Sequence, residues 1–229
     1  MIIPLSQEAD WQSTFAVARA WSAPRRNTIV ISPHPDDETL ATGGFISAQR
    51  SKGLDVKVVA VTDGENAYGD NCGLGKIRQQ EQEKALHTLG VSATNIIRLG
   101  LPDCDVSSYA NDVVAALLPF MSEESHIMAP WPGDFHPDHE ACGRAAKQAA
   151  ELCGAQLTFY FFWMWHRGTA ELLHCLPIRS FALTSAQQSI KSQALRHHHS
   201  QLFRTDGEPI LPEYLLWPAK LPFEIYLPA

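Results

Sequence analysis

The sequence contains no run of about 18 apolar residues, the length a helix needs to cross a bilayer. Its richest apolar stretch, Leu157 to Trp165, is only as long as a buried strand. Positive charge is not in excess either: 18 Lys and Arg stand against 25 Asp and Glu, a formal net charge of −7. No overall basic field draws phosphate backbones, so nucleic acid is not expected as a partner. The five cysteines (Cys72, Cys104, Cys142, Cys153 and Cys175) form no CxxC pair and are odd in number. A disulfide framework is therefore not expected, and reduced, mostly buried thiols in the cytoplasm are. No motif sets a base beside Cys104, which argues against a thiol nucleophile. Met1 to Ala20 mixes Gln7, Glu8, Asp10 and Arg19 among its apolar residues and does not read as a signal peptide. Internal repeats and low-complexity linkers are absent, and membrane insertion is not expected.

What is present is enough apolar material, 45% of 229 residues, for one sizeable core. The expected architecture is one α/β domain over residues 1–229, with a Rossmann-like three-layer α/β/α arrangement and a mainly parallel sheet. Strands are expected at 28–32, 56–61, 95–99, 126–129, 157–165 and 178–183, because these runs are short, apolar and bounded by turn residues. Helical spacing fills 7–21, 38–52, 76–89, 112–121, 138–153 and 185–201, the last with Ser185 as its cap. Pro119 must end or kink the fourth of these. The tail from Asp206 holds Pro209, Pro212, Pro218, Pro222 and Pro228 and is expected to wrap the surface without regular structure. Alternating strands and helices imply right-handed crossovers and the order 3-2-1-4-5. In such sheets ligands bind beyond the carboxyl ends of strands one and four, where the winding reverses.

The two richest clusters of reactive side chains lie directly after those strands. Pro33-His34-Pro35-Asp36-Asp37-Glu38 follows the first, and His136-Pro137-Asp138-His139 follows the fourth. Prolines beside the reactive residues stiffen both turns. A hydrolytic zinc ion takes two or three imidazoles, usually a carboxylate, and leaves one position open. His34, Asp37 and His139 supply such a set. Asp36 projects away from Asp37 on a helical wheel and can meet the attacking water rather than the ion. His136 and His139 are spaced so that one can ligate while the other points to the reacting carbonyl. Taken alone, Asp36 and Asp37 are also what a helix N-cap and first turn ordinarily carry. The coincidence of both clusters at the switch point favours a metal site.

The pattern resembles the PIG-L (LmbE-like) de-N-acetylase family. Pro-His-Pro-Asp-Asp-Glu, the later His-Pro-Asp-His, Val61-Thr-Asp-Gly-Glu65, Arg78 to Gly90, Leu101-Pro-Asp103 and Ala194 to Gln201 carry the likeness over about 28–201. The resemblance implies a zinc-dependent hydrolase, with Fe2+ as another candidate ion, that removes an acetyl group from an N-acetylglucosamine-type small molecule. It implies His34, Asp37 and His139 as ligands, Asp36 as general base and protonated His136 as oxyanion stabiliser. Arg78 and Asp103 would resemble sugar-contacting positions. The lack of a membrane span fits the cytoplasmic, bacterial type, and homo-oligomers are common in such enzymes. An amidase cleaving a larger acyl group shares the same chemistry. A nucleotide-binding module would want a glycine-rich turn after strand one, whereas Gly43-Gly44 falls inside the helix.

Other residues carry weaker expectations. Glu38 reads as a first-turn acid or a partner to a ligand imidazole, and Asp63 and Glu65 as turn acids near the site. The aromatic run from Phe159 reads as strand core, with Trp163 or Trp165 as candidate exceptions. Trp131 is a candidate pocket wall. His197-His198-His199 reads as helix surface rather than an accessory metal site.

Overall fold

The computed structural model describes residues 3–68 and 73–229. Cys72 and the middle of the 62–75 loop lie outside the described residues. The chain enters through a 3-10 turn (Glu8–Trp11) and a short helix α1 (Gln12–Val17), then forms strand β1 (Arg19–Ala20). The helix expected to reach Trp21 stops early, because Ala18 is extended and β1 pairs with a sheet edge instead.

Alternation then sets in: β2 (Thr28–Ser32), α2 (Asp37–Ser51), β3 (Val56–Thr62), α3 (Leu74–Thr88), β4 (Ile96–Leu101) and α4 (Ala110–Leu117). Beyond Pro119, β5 (His126–Pro130), α5 (Pro137–Cys153) and β6 (Gln156–Tyr160) complete the parallel core. The order β4-β3-β2-β5-β6 is the expected 3-2-1-4-5, with every neighbour parallel. β2 is buried throughout, and its side chains alternate between two cores. Ile29 and Ile31 pack with Val59, Val61 and Ile127 on one face; Val30 packs with Phe45, Val58 and Met128 on the other.

The second half departs from expectation. The strand expected to run to Trp165 ends at Tyr160, and the chain turns through helix α6 (Met164–Arg167), then α7 (Ala170–His174). The N–H groups of Phe162, Trp163 and Met164 bond to a side chain, Asp134, instead of a neighbouring strand. After β7 (Arg179–Ala182), α8 covers only Ser185–Leu195, and a separate turn α9 (His199–Leu202) follows. Thr184, not Ser185, caps α8, in a reciprocal capping box with Gln187.

The tail is the largest correction. It carries α10 (Trp217–Lys220) and strand β8 (Phe223–Pro228), which inserts antiparallel between β7 and β6. Its prolines sit outside the ladder's interior: Pro222 precedes β8 and Pro228 ends it. The Glu224 carboxylate, buried, accepts the N–H groups of Gly44 and Phe45 in α2 and pairs with Lys191 of α8 at 2.6 Å. Cys104, Cys142, Cys153 and Cys175 are free thiols. No helix among the described residues is long and apolar enough to cross a membrane.

Candidate active site and metal centre

The β2–α2 turn is held from both sides. Thr62, at the end of β3, donates its N–H and hydroxyl to the Pro33 carbonyl. Within the turn, the His34 N–H donates to Asp37 Oδ2 at 2.9 Å. Asp36 occupies the N-cap position yet makes no capping hydrogen bond, so its carboxylate is spent elsewhere. At the other turn, Gly143 lets α5 sit against the end of β5, since a Cβ there would collide with the Pro130 carbonyl. This close approach delivers His136 and His139 to the ends of β2 and β5.

The imidazoles of His34, His136 and His139 converge, with ring centroids 4.8 to 5.4 Å apart. Asp37 Oδ2 lies 3.2 Å from both His34 Nδ1 and His139 Nε2. Each of the three histidines offers a ring nitrogen within 4.8 Å of the other two. His139 Nε2 is buried and makes no well-formed hydrogen bond, with only the Asp37 carboxylate 3.2 Å away. A buried imidazole nitrogen that faces a carboxylate without a well-formed hydrogen bond fits a cation that would take its lone pair.

The opposite nitrogens are pinned. His34 Nε2 lies 3.2 Å from Asp138 and 3.3 Å from Asp103, while His139 Nδ1 lies 2.8 Å from Asp134. Such carboxylate partners fix the tautomer and aim the other nitrogen at the ion. His34, Asp103 and Asp138 are also close enough to form a metal group of their own. Asp138, however, is already engaged by the N–H groups of Cys104 and Val106, and Asp103 by that of Asn66. We therefore read both acids as supports of His34.

Charge states follow from these neighbours. Burial opposes ionisation of Asp37, but His139 and His34 hold its carboxyl far below the usual range. Burial also works against a charged His139, yet Asp37 and Asp134 raise it to about 9. Asp36 is pushed up to about 6 by burial, with the Arg78 guanidinium restraining the rise. His136 is pushed down to about 3 by burial, reinforced by His34 and His139. Burial and its two imidazole neighbours thus disfavour a charged His136.

Arg78 is buried and donates to Asp36 Oδ2 at 3.2 Å and to the Gly64 carbonyl at 2.9 Å. Gly64 has a positive φ, and a Cβ there would collide with the Arg78 guanidinium. The expected sugar contact is thus first a clamp on Asp36, although Arg78 also lines the cleft. Asp103, held down at about 2 against burial by His34, lines it too. The cleft has a volume of about 200 Å3 and is lined by His34, Asp36, Asp37 and His136. Phe162, Trp163 and Arg167 form part of its wall, with Ile210 and Leu211 from the tail.

Several expectations fall elsewhere. Glu38 touches no imidazole; it is buried against Ser32 and Gln82. Asp63 binds Gln79, and Glu65 accepts the Asp103 N–H. Trp131 packs on Phe161 away from the cleft, and Trp165 packs on Trp11 in the core. His198 is buried against Thr39, so the histidine run is not all surface. Sequence reasoning missed Asp134, fully buried beneath His139, whose only signal was an acid just ahead of the His136 cluster. It also missed Arg167 and the tail residues, which no local pattern marks.

Comparison with known proteins bears on the family and the fold. The model of the PIG-L family, described as GlcNAc-PI de-N-acetylase, matches residues 29–150. A probable N-acetyl-alpha-D-glucosaminyl L-malate deacetylase 2 of Bacillus subtilis (strain 168) is 30% identical over 138 residues, 55% of this chain and 61% of that protein. The match thus spans under two thirds of that relative. Among solved structures, an N,N'-diacetylchitobiose deacetylase from Pyrococcus horikoshii superposes with a TM-score of 0.63 at 24% identity, covering 87% of this chain and 76% of that one. The A40926 pseudoaglycone deacetylase Dbv21 gives a TM-score of 0.70 at 21% identity, covering 90% and 97%. At these identities the two structures establish the shared fold.

Proposed function

The chain belongs to the PIG-L family of de-N-acetylases, and on that premise we propose that it is a metal-dependent hydrolase. Its reaction is removal of the N-acetyl group from an N-acetylglucosamine-type amino sugar or its conjugate. The relatives named above as deacetylases support this reading. The observation that carries it is the convergence of His34, Asp37 and His139, with His139 Nε2 buried and facing Asp37 without a well-formed hydrogen bond. In this reading those three residues hold the ion, zinc by its donor set. A divalent cation there supplies Lewis-acid polarisation of the amide carbonyl and a more acidic attacking water.

The chain's own residues do the rest. Asp36, clamped by Arg78 through Oδ2, takes a proton from the attacking water and returns it to the leaving amine. Neutral His136 donates an N–H to the developing oxyanion. Asp103 offers a carboxylate oxygen to a sugar hydroxyl. Residues 1–229 act as one domain, because β8 joins β7 to the parallel core and the tail walls the cleft. The unpaired thiols support a cytoplasmic setting.

The test is to quantify metal in the purified protein and assay acetate release from N-acetylglucosamine derivatives before and after chelation. We expect about one ion per chain and chelator-sensitive release, with His136→Ala retaining the ion. Preparations that never hold metal would sink the reading. Release of longer acyl groups in preference to acetyl would replace it with the amidase alternative.

A further inference from the structure

The three histidines of the centre are held by different means. Carboxylates pin His34 and His139, but no ion pair holds His136, and its Nδ1 finds no hydrogen-bond partner among the described residues. What stands against the His136 ring is Trp163, stacked with centroids 5.7 Å apart and planes 22° from parallel. The His136 backbone is set by Phe135, whose φ of 57° lies in the left-handed region although the residue is not glycine. The cause is local. Asp134 lies buried beneath His139, while His136, two residues on, lines the cleft and opens α5 with an extended backbone. A left-handed Phe135 meets both demands, at a cost of about 1–3 kcal/mol.

Arg167, half-buried at the end of α6, touches both supports of His136. It donates through Nη1 to the Phe135 carbonyl at 2.6 Å, and its guanidinium lies 4.1 Å over the Trp163 ring. The charge-assisted bond offsets the strain at Phe135, and the cation–π contact holds the ring against which His136 rests. Asp134 works in the opposite direction: from the turn, it accepts the N–H groups of Phe162, Trp163 and Met164 that lead into α6. The turn and α6 thus grip each other at both ends. We propose that Arg167 is a positioning residue, which sets the orientation of His136 by clamping Phe135 and Trp163. This rests on the reading of His136 as the oxyanion donor and adds the group that aims it. Arg78 does the corresponding task for Asp36. Carboxylates then aim the ligand imidazoles, and arginines aim the two groups that act on the substrate.

The experiment compares acetate release from methyl N-acetylglucosaminide by the metal-loaded wild type, Arg167→Met, His136→Ala and the double variant. Methionine keeps an unbranched stem over Trp163 but cannot donate to the Phe135 carbonyl. Arg167→Met should lower kcat about tenfold, within the cost of a small misplacement at a reacting centre, while KM and metal content hold. His136→Ala should cost more, about 10²- to 10³-fold, and adding Arg167→Met to it should cost nothing further. A second readout needs no turnover. The His136 ring-proton resonances, assigned by their loss in His136→Ala, should move in Arg167→Met, because the stacked Trp163 ring shifts them. Unmoved resonances would overturn the proposal, as would an equal kcat loss when residue 136 is already alanine. So would a raised KM at unchanged kcat, which would make Arg167 a contact to the substrate, or a loss of metal, which would make it a support of the whole centre. A wild type that holds metal and releases no acetate would remove the deacetylase reading, and the resonances would still decide whether Arg167 places His136.

Discussion

The turns after β2 and β5 and the segment from Phe203 onward build one cleft, but they are held by different kinds of contact. In the turns, short-range restraints, His34 N–H to Asp37 and His139 to Asp134, are joined by ties from one turn to the other, His34 to Asp138 and His139 to Asp37. In the tail, the restraints cross the molecule: Ile210 N–H to Tyr68 Oη, Leu183 N–H to the Pro222 carbonyl, Glu224 to Gly44 and Phe45. The first kind makes a rigid constellation that survives change elsewhere, which is what a reacting centre needs. The second leaves the wall free to vary without disturbing the chemistry. We read the turns as setting the reaction and the tail as setting what fits beside it.

The comparison breaks most sharply at Asp36. Asp36→Asn keeps the shape beside Arg78 and leaves Asp37 and both ligand histidines untouched. Turnover should fall by about 10²- to 10⁴-fold, the usual worth of a positioned acid–base group, with metal content unchanged. An active Asn variant would return Asp36 to the role of an ordinary first-turn acid.

Glu224→Gln attacks the other region. It leaves Lys191 buried without its counter-charge and weakens the tie between β8 and α2. Breaking a buried pair from one side costs about 3–5 kcal/mol, so urea unfolding should shift strongly, while Lys191→Met with Glu224→Gln should recover much of the loss. A single variant as stable as wild type would show the tail to be an appendage rather than part of the sheet.

How much could be read from the chain follows the same division. The order of five strands, the switch point and the His34, Asp36, Asp37, His136 and His139 cluster were legible, because buried parallel strands and proline-stiffened turns leave local marks. β8 was not, since its pairing partners β6 and β7 lie far back in the chain and its flanking prolines imitate a loop. The end of β6 was misjudged for a related reason. Phe161, Phe162 and Trp163 are apolar enough for a strand, but Asp134 takes the N–H groups of Phe162 and Trp163.

Asp134 therefore joins the two kinds of restraint, and Asp134→Asn sharpens the comparison. An amide cannot accept from Phe162, Trp163, Met164 and His139 together as the carboxylate does. Metal affinity, measured by competition with a chelator, should weaken about 10- to 100-fold while far-UV circular dichroism stays as in the wild type. Unchanged affinity would confine Asp134 to fixing the 162–164 turn.

The smallest effect separates histidines of the two regions by the sign of their shift. His139 sits among carboxylates and is raised to about 9. His198, between α8 and α9, is pushed down to about 3 by burial, with Arg78 and His197 adding to the fall and Asp37 and Gln201 opposing it. It stays neutral in the fold, with Nε2 3.1 Å from Thr39 Oγ1 on α2. The unfolded chain takes up a proton near pH 6.5 that the folded chain refuses until much lower pH. Stability from this group is thus whole above about pH 6.5 and is lost as pH falls, by up to about 1.4 kcal/mol per pH unit. In chelated protein, where the ion's own proton competition is removed, urea unfolding of wild type and His198→Gln should diverge accordingly. The wild type should lose about 1 kcal/mol more than the variant between pH 6.5 and 5.5. Parallel curves would mean that His198 takes its proton in the folded state, and that the contact between the C-terminal half and α2 opens as readily as a surface loop.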